Sequence, residues 1–153
     1  MAVTLAPVEE RDLDAFFAML RDYHDEMDTF DPRTGEDAWD ASQYEEAIRA
    51  DLDGQELLWI LDDGEHAGLL IILTLPDWPD DRRSVATISE CYVTPQHRRR
   101  GVGSAAVDAL LAEHRERGTY EVEAGILVRN GPARAFWERL GFETRSLQTA
   151  RRP

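Results

Sequence analysis

Three arginines and two glycines form the run Arg98-Arg99-Arg100-Gly101-Val102-Gly103, between a strand-like segment and an apolar, helix-like segment. The first turn of a helix has backbone N–H groups without intrahelical partners, and the helix dipole makes that end positive. Glycines remove side chains there, so that a phosphate group can approach the N–H groups, and arginines add cationic side chains. The run therefore predicts a binding loop for an anion such as a pyrophosphate.

The segments around this loop alternate between strand and helix patterns. Val85–Val93 is an apolar strand pattern before the loop, and Gly101–Arg117 places Val102, Ala106 and Leu110 on one helix face. Downstream, the pattern predicts a strand, a short helix and the start of a last strand, at Val122–Val128, Pro132–Leu140 and Phe142–Leu147.

The N-terminal half supplies the rest of a sheet and two more helices. Strand patterns cover Val3–Ala6, Glu56–Leu61 and Ala67–Leu75, and amphipathic helix patterns cover Glu9–Met27 and Ala41–Leu52. Asp63-Gly64 is a hairpin turn signal, and loops are expected at Asp28–Trp39 and Pro76–Arg83. This order of elements predicts one α/β domain over residues 1–153, with helices packed on a mixed sheet.

The arginine–glycine run resembles the acetyl-CoA signature of the GNAT family of N-acetyltransferases, Gln/Arg-x-x-Gly-x-Gly/Ala. The preceding Tyr92-Val93-Thr94-Pro95 is similar to the strand end of that family. Asn130–Phe142 resembles its second block, Asn-x-x-Ala-x-x-Phe-Tyr-x-x-x-Gly-Phe. The resemblance implies the GNAT fold: a mixed, mostly antiparallel sheet of about six to seven strands, splayed at a cofactor wedge and flanked by about four helices.

The resemblance also implies that acetyl-CoA lies in this wedge as the acetyl donor. Strand residues would bond the pantetheine arm and the thioester carbonyl through their backbone groups, and the loop N–H groups would hold the pyrophosphate. Asn130 would bond the cofactor arm, and the two aromatic residues after it would flank the arm. The expected cofactor-binding residues are Cys91, Tyr92, Val93, Arg98, Arg99, Arg100, Gly101, Val102, Gly103, Ser104, Asn130, Phe136 and Trp137.

The reaction implied by the family is direct attack of an acceptor amine on the thioester. An alkylamine with a pKa of about 10.4 is almost fully protonated at neutral pH, so a base has to remove its proton. Glu90 is the candidate catalytic base, because it stands in the otherwise apolar strand before the loop, where the family often has an acidic residue. The alternative is that Glu90 orients a backbone group or binds the cation of the acceptor.

One residue departs from the family pattern. Trp137 stands where many relatives have a tyrosine that protonates the departing thiolate, and an indole cannot serve as an acid at ordinary pH. Tyr92 is an alternative donor if its side chain faces the thioester. A CoA thiolate is a reasonable leaving group in water, so the general acid stays unassigned.

Five other residues have a functional and a structural interpretation. Cys91 could act as an acyl-cysteine, but no partner that would generate its thiolate is apparent, and a small buried hydrophobe is favoured. A surface helix position is favoured for His24 over a role with the acceptor. His97 is expected in the loop near the cofactor. Trp39 and Trp78 could line an acceptor pocket or cap the core.

Composition narrows the class of protein. The 153 residues carry 31 acidic residues and 17 arginines without any lysine, a net charge of −14. Nucleic acid requires a basic surface and is therefore not expected as a partner. No run approaches the roughly 20 apolar residues of a membrane span and no signal-peptide pattern is present, so we expect a cytoplasmic protein without a membrane partner. A single cysteine excludes an internal disulfide and indicates no metal site.

The charge is concentrated in the N-terminal half, where residues 1–66 hold 20 acidic residues and 4 arginines. In the family, the first two helices and their connecting loop form one wall of the acceptor groove. The acidic residues expected in this wall are Asp25, Glu26, Asp28, Asp31, Glu36 and Asp37. Such a wall would concentrate cations, although a purely solvated surface is the alternative.

We therefore expect an acetyl-CoA-dependent N-acetyltransferase acting on a primary amine of a small, cationic acceptor. A protein or peptide acceptor is the alternative within the enzyme class, and a non-catalytic acetyl-CoA-binding module is the alternative outside it. A homodimer is left open.

Overall fold

The computed structural model describes residues 2–33 and 40–153 of the chain. Within these ranges it contains five strands and four helices, in the order β1 (Val3–Pro7), α1 (Leu13–Asp28), α2 (Ala41–Ala50), β2 (Glu56–Asp62), β3 (Glu65–Asp77), β4 (Asp80–Val93), α3 (Val102–Glu116), β5 (Glu121–Ala124) and α4 (Gly131–Arg139). Short 3-10 turns precede α1, follow α2 and follow β4. None of the described helices is long and apolar enough to cross a membrane.

The five strands form one sheet in sequence order, β1-β2-β3-β4-β5. Neighbouring strands from β1 to β4 run antiparallel, and β5 runs parallel to β4. A parallel pair needs a crossover connection, which α3 provides. This topology confirms the predicted mixed, mostly antiparallel sheet with flanking helices, although the described residues form five strands instead of about six to seven.

Helices cover both faces of the sheet, and each face has its own apolar cluster. One cluster joins Val102 and Leu110 of α3 to strand residues such as Ile88. The other cluster joins Phe16 of α1 and Ile48 of α2 to the opposite face. The centre of β3 is consequently covered from both sides, which explains its continuous apolar sequence. Its fully buried residues are Leu69, Leu70, Ile71 and Ile72.

Strands β3 and β4 continue as a two-stranded ribbon beyond the rest of the sheet. The prediction that Pro76–Arg83 is a loop is wrong, because both strands extend to a tight turn at Trp78-Pro79, whose peptide bond is cis. The pairing of β2 with β3 reaches only to Ile72. Pro76 therefore lies on a strand edge without a neighbour on that side, where a sheet tolerates proline.

The chain after α4 has no regular secondary structure over residues 142–153, so the predicted strand start at Phe142–Leu147 is wrong. Phe142 packs against the core, but Leu147 is exposed. A strand needs a face that packs against its surroundings, and this segment offers a single apolar anchor. Arg145 holds the segment beside β5 by ion pairs with Glu121 and Glu123.

Gly68 of β3 lies against the backbone of β4, where a side chain has no room. An ideal Cβ at this position would lie 2.1 Å from the carbonyl oxygen of Tyr92. We expect Gly68→Ala to lower the free energy of unfolding by about 1–3 kcal/mol, the range for overpacked sites.

The matched control is Gly131→Ala, because nothing lies within 4 Å of its ideal Cβ. Its stability should stay within about 0.5 kcal/mol of wild type. Urea unfolding followed by circular dichroism measures both variants. Equal stabilities for the two variants would contradict the close contact between β3 and β4.

Candidate active site

The site begins where β4 and β5 separate. The two strands pair from Val85 with Glu121 to Ile88 with Ala124. Beyond this point β4 continues to Val93, whereas β5 ends and the chain leaves the sheet at Gly125. The predicted strand Val122–Val128 is therefore shorter than expected. A cleft of about 1110 Å³ opens in the resulting wedge, between α1, β4, α3, α4 and the segment after β5.

A β-bulge in β4 decides which side chains face which wall of this cleft. Ile88 and Glu90 pair with consecutive residues of β3, so Ser89 is an extra residue without a partner there. Beyond the bulge, Cys91 packs towards the α3 cluster, whereas Tyr92 packs in the α1 cluster. Since residues two apart share a face of a strand, Glu90 also faces α1.

The carboxylate of Glu90 is largely buried among aromatic side chains of the first two helices. Its Oε1 accepts a hydrogen bond of 2.6 Å from the hydroxyl of Tyr44 and lies 3.6 Å from Nε2 of His24. Burial raises the pKa of both Tyr23 and Tyr44 well above the usual value of a phenol, and the negative charge of Glu90 is the second cause. Both phenols are consequently protonated at neutral pH.

In this cluster, His24 contradicts the prediction from sequence, and Tyr44 was not predicted. His24 is buried beside Glu90, so the preference for a surface position is wrong. Tyr44 was not singled out by the sequence motifs. Its one available signal is the four-residue spacing to Ile48, which places both side chains on the same inward face of α2.

The N-terminus of α3 opens into the cleft without a side-chain cap. Its N-cap residue is Gly101, whose φ of 80° lies in the left-handed region that favours glycine. By contrast, Asp40 caps α2 and Asn130 caps α4 through their side-chain oxygens. The cleft lining on this side consists of Gly101, Val102, Gly103 and Ser104. Unpaired N–H groups of the first helical turn are therefore available to an anion.

The three consecutive arginines divide between two positions. Arg98 and Arg99 line the cleft, and Arg98 donates to the carbonyl oxygen of Val93 and to Glu26, at 2.7 Å in both cases. Arg100 is not among the residues that line the cleft, and its contact with the cofactor stays a prediction. Its guanidinium lies 3.3 Å from the buried carboxylate of Asp62 instead, so this arginine anchors the loop to the sheet.

The opposite wall of the cleft comes from α4 and its cap. Asn130 accepts a hydrogen bond of 3.1 Å from the N–H of Ala133, and its amide nitrogen lies 3.8 Å from the sulfur of Met27. Phe136 and Trp137 stack edge to face, with ring centroids 5.1 Å apart. Trp137 is mostly buried in the core and presents only part of its ring to the cleft.

The described part of the predicted acidic wall contributes three carboxylates to the cleft. Glu26, Asp28 and Asp31 line the cleft, whereas Asp25 is exposed outside the lining. Glu26 pairs with Arg98 and Asp31 with Arg33, so within the described residues Asp28 is the wall carboxylate without an arginine inside 4.0 Å. The remaining wall residues, Glu36 and Asp37, lie outside the described residues.

Neither His97 nor Trp78 lines the cleft. His97 is buried in the turn after β4, where its Nδ1 lies 2.8 Å from the hydroxyl of Thr94, and it does not line the cleft. Trp78 is 89% exposed at the tip of the β3–β4 ribbon, so it neither lines the cleft nor caps the core. Trp39 lies outside the described residues. Within the described ranges, no three His, Cys, Asp or Glu side chains are grouped to hold a metal ion.

A sequence model of the acetyltransferase (GNAT) family matches residues 16–142, which include β4, the arginine–glycine loop, α3 and α4. The chain belongs to the GNAT family. Its uncapped helix N-terminus, the splayed strands and Glu90 all lie inside the matched region.

Individual acetyltransferases are similar to the chain in sequence or in fold. An uncharacterized N-acetyltransferase of Methanocaldococcus jannaschii is 37% identical over 67 residues, a stretch that spans 44% of this chain and 30% of that protein. The ribosomal-protein-alanine N-acetyltransferase of Brucella melitensis has a TM-score of 0.76 at 22% identity, over 99% of both chains. An aminoglycoside acetyltransferase from an uncultured soil sample has a TM-score of 0.68 at 20% identity, over 100% of this chain and 99% of its own. These two structures share the fold of the chain.

Cys91 should be a poor nucleophile although it lines the cleft. Burial, followed by the charge of Glu90, raises the pKa of its thiol to about 12. Because only the thiolate reacts, we expect alkylation by iodoacetamide at pH 7.5 to be about 10³-fold slower than for an unperturbed thiol of pKa 8.5. Intact-mass spectrometry measures the rate, with the urea-unfolded chain as the control. Equal rates in the two states would mean that the folded chain does not suppress the thiolate.

Proposed function

We propose that this GNAT protein transfers the acetyl group of acetyl-CoA directly to a primary amine of a small, cationic acceptor. The observation that carries the proposal is that one cleft contains both the uncapped N-terminus of α3 and the buried carboxylate of Glu90. The helix N-terminus suits a pyrophosphate, and the carboxylate suits removal of a proton from an amine.

The donor would lie along the free edge of β4, between the two walls of the wedge. N–H groups from Arg99 to Ser104 would bind the pyrophosphate, with the side chains of Arg98 and Arg99 beside it. Arg100 would act indirectly, by holding the loop through Asp62.

The pantetheine arm would occupy the wedge below the pyrophosphate. Backbone groups of Cys91, Tyr92 and Val93 in the edge of β4 would hydrogen-bond the arm and polarise the thioester carbonyl, since the described part of β5 no longer pairs with them. Phe136 and Trp137 would flank the arm from α4. Asn130 would reach it through its amide nitrogen, because its oxygen caps the helix.

Glu90 would act as the catalytic base. Its carboxylate takes a proton from the acceptor amine, and the amine nitrogen bonds to the thioester carbon. The carbon–sulfur bond then breaks, the electron pair leaves with the sulfur of CoA, and the nitrogen releases its second proton to water to give the neutral amide. A CoA thiolate is a stable leaving group that can take its proton from water, so the step needs no dedicated donor. The buried indole of Trp137 could not provide one.

The cationic character of the acceptor is supported by charge. The chain carries a net charge of −14, and Asp28 stands in the cleft without an arginine inside 4.0 Å among the described residues. A negatively charged concave surface raises the local concentration of cations. Asp28 and the more distant N-terminal carboxylates would therefore favour a polyamine-like or aminoglycoside-like substrate.

The role of Glu90 is tested by Glu90→Gln, which keeps the shape of the side chain. We expect kcat for acceptor-dependent CoA release to fall by roughly 10²–10⁴ and the pH profile of kcat/KM to lose its acidic limb. Acetyl-CoA affinity measured by calorimetry should stay near wild type. Glu138→Gln, on the exposed face of α4, is the control. Wild-type turnover of Glu90→Gln at neutral pH would refute the base assignment.

The same assay, run with a mixed panel of amines, tests the activity itself. Acceptor-dependent release of the CoA thiol supports the acetyltransferase. Binding of acetyl-CoA without thiol release on any amine would instead favour a binding module. Turnover restricted to peptides with a free N-terminus would favour a peptide acceptor.

The cationic preference is tested by ionic strength. We expect kcat/KM for a polyamine to fall as salt shortens the Debye length below about 10 Å, and to exceed that for an acidic amino acid. Asp28→Asn should raise KM for the polyamine at low salt. Asp25→Asn is the matched control, because this residue is exposed outside the cleft. If the polyamine rates respond neither to salt nor to Asp28→Asn, the acidic residues are solvated surface and do not select the acceptor.

A further inference from the structure

The carboxylate of Glu90 is largely buried, and no arginine pairs with it within the described residues. Within the described residues, no arginine nitrogen lies within 4.0 Å of it, and the chain contains no lysine. The polar groups that face it are Tyr23 and His24 from α1 and Tyr44 from α2, whereas the thiol of Cys91, next to it in β4, packs towards the α3 side of the sheet. A buried charge is costly unless hydrogen bonds compensate it, so these donors have to stabilise the carboxylate.

Tyr44 lies closer to the carboxylate of Glu90 than His24 does. Its hydroxyl donates to Oε1 of Glu90 at 2.6 Å, which is the distance of a strong O–H···O⁻ hydrogen bond. The phenol itself does not line the cleft, so it is not placed to touch the substrates. Its raised pKa, caused by burial and then by Glu90, keeps it protonated and able to donate throughout the neutral range.

The position of Tyr44 is set by the packing of α2 on α1. Its ring stacks edge to face on His24, with centroids 4.8 Å apart. Two ion pairs connect the helices, Arg21 with Glu45 and Arg49 with Asp14, each at 2.8 Å. Exposed pairs of this kind add little stability individually, but two of them together limit sliding of one helix along the other.

We infer that Tyr44 is a positioning residue for the reaction: its hydroxyl holds Oε1 of Glu90 and so fixes the orientation in which the carboxylate receives the proton of the acceptor amine. The inference rests on the proposed role of Glu90. Through Tyr44, α2 controls the orientation and ionisation of the catalytic carboxylate, although this helix lies outside both sequence motifs of the family.

The decisive variant is Tyr44→Phe, which keeps the ring on His24 and removes only the hydroxyl. We expect kcat to fall at least tenfold, with the calorimetric affinity for acetyl-CoA unchanged. Loss of the donor destabilises the ionised carboxylate, so the acidic limb of the kcat/KM profile should move to higher pH. Tyr120→Phe, an exposed tyrosine that contacts Arg83 on the β3–β4 ribbon, is the matched control and should behave as wild type.

A second pair of variants separates positioning from packing. Glu90→Asp withdraws the carboxylate by one methylene from the reach of Tyr44, so adding Tyr44→Phe to Glu90→Asp should have little further effect on kcat. Equal losses from Tyr44→Phe in both backgrounds would overturn the inference, as would wild-type kcat and an unshifted pH profile in the single variant.

The Glu90→Gln variant keeps this inference distinct from the proposed function. If Glu90→Gln is impaired and Tyr44→Phe is not, the positioning role fails alone. If Glu90→Gln turns over normally, the base assignment fails, and the role of Tyr44 fails with it.

Discussion

The separation of β4 from β5 is the constraint on which the rest of the site depends. Backbone N–H and C=O groups in a buried region require partners, and a strand that loses its neighbour exposes a row of them. Here the loss occurs at the carboxyl end of β4, after Ile88, and the crossover to the parallel strand begins directly beyond it with α3. The free strand edge and the free helix N-terminus consequently face the same space. Ligand sites at the carboxyl ends of parallel strands follow from this geometry in many α/β proteins.

Charge is distributed so that each functional group of the cleft has a different kind of partner. The loop arginines contact carboxylates: Arg98 contacts Glu26, and Arg100 contacts Asp62. Glu90 contacts a phenol and an imidazole instead. An anion that binds at the α3 N-terminus would therefore compete with Glu26 for Arg98, whereas Glu90 is insulated from the guanidinium groups. The proposed anion site and the proposed catalytic base are thereby kept apart within one cleft.

Sequence reasoning located the loop, the helix and the aromatic wall because local patterns specify them. The run from Arg98 to Gly103 predicts an anion-binding loop from its residue types alone. The strands are recognisable because their apolar residues have the spacing that burial requires. It could not locate the bulge at Ser89, since a bulge is a relation between two strands and leaves no signature in the one that carries it. The same limit applies to Tyr44, which meets Glu90 across 46 residues of sequence.

The errors at the β3–β4 ribbon and at the C-terminal segment have a related cause. Proline is typical of a loop, yet Pro76 fits in a strand because β2 does not reach that far along β3. Phe142–Leu147 begins with an aromatic residue like a strand, but whether a strand forms depends on the surface available to cover it. Whether each segment forms a strand is decided by the elements that pack beside it, and the local sequence does not specify those neighbours.

The β3–β4 ribbon also has a consequence for the behaviour of the protein at high concentration. A ribbon that extends past its neighbours presents two open edges, which could pair with another chain and start fibrous assembly. Its tip, however, is crowded with charge: Arg82 contacts Asp80, and Arg83 contacts Asp77. An incoming strand would have to break these pairs or bury them, so the tip discourages edge-to-edge stacking. The charged turn thus allows an exposed tryptophan at the tip of the ribbon without a template for aggregation.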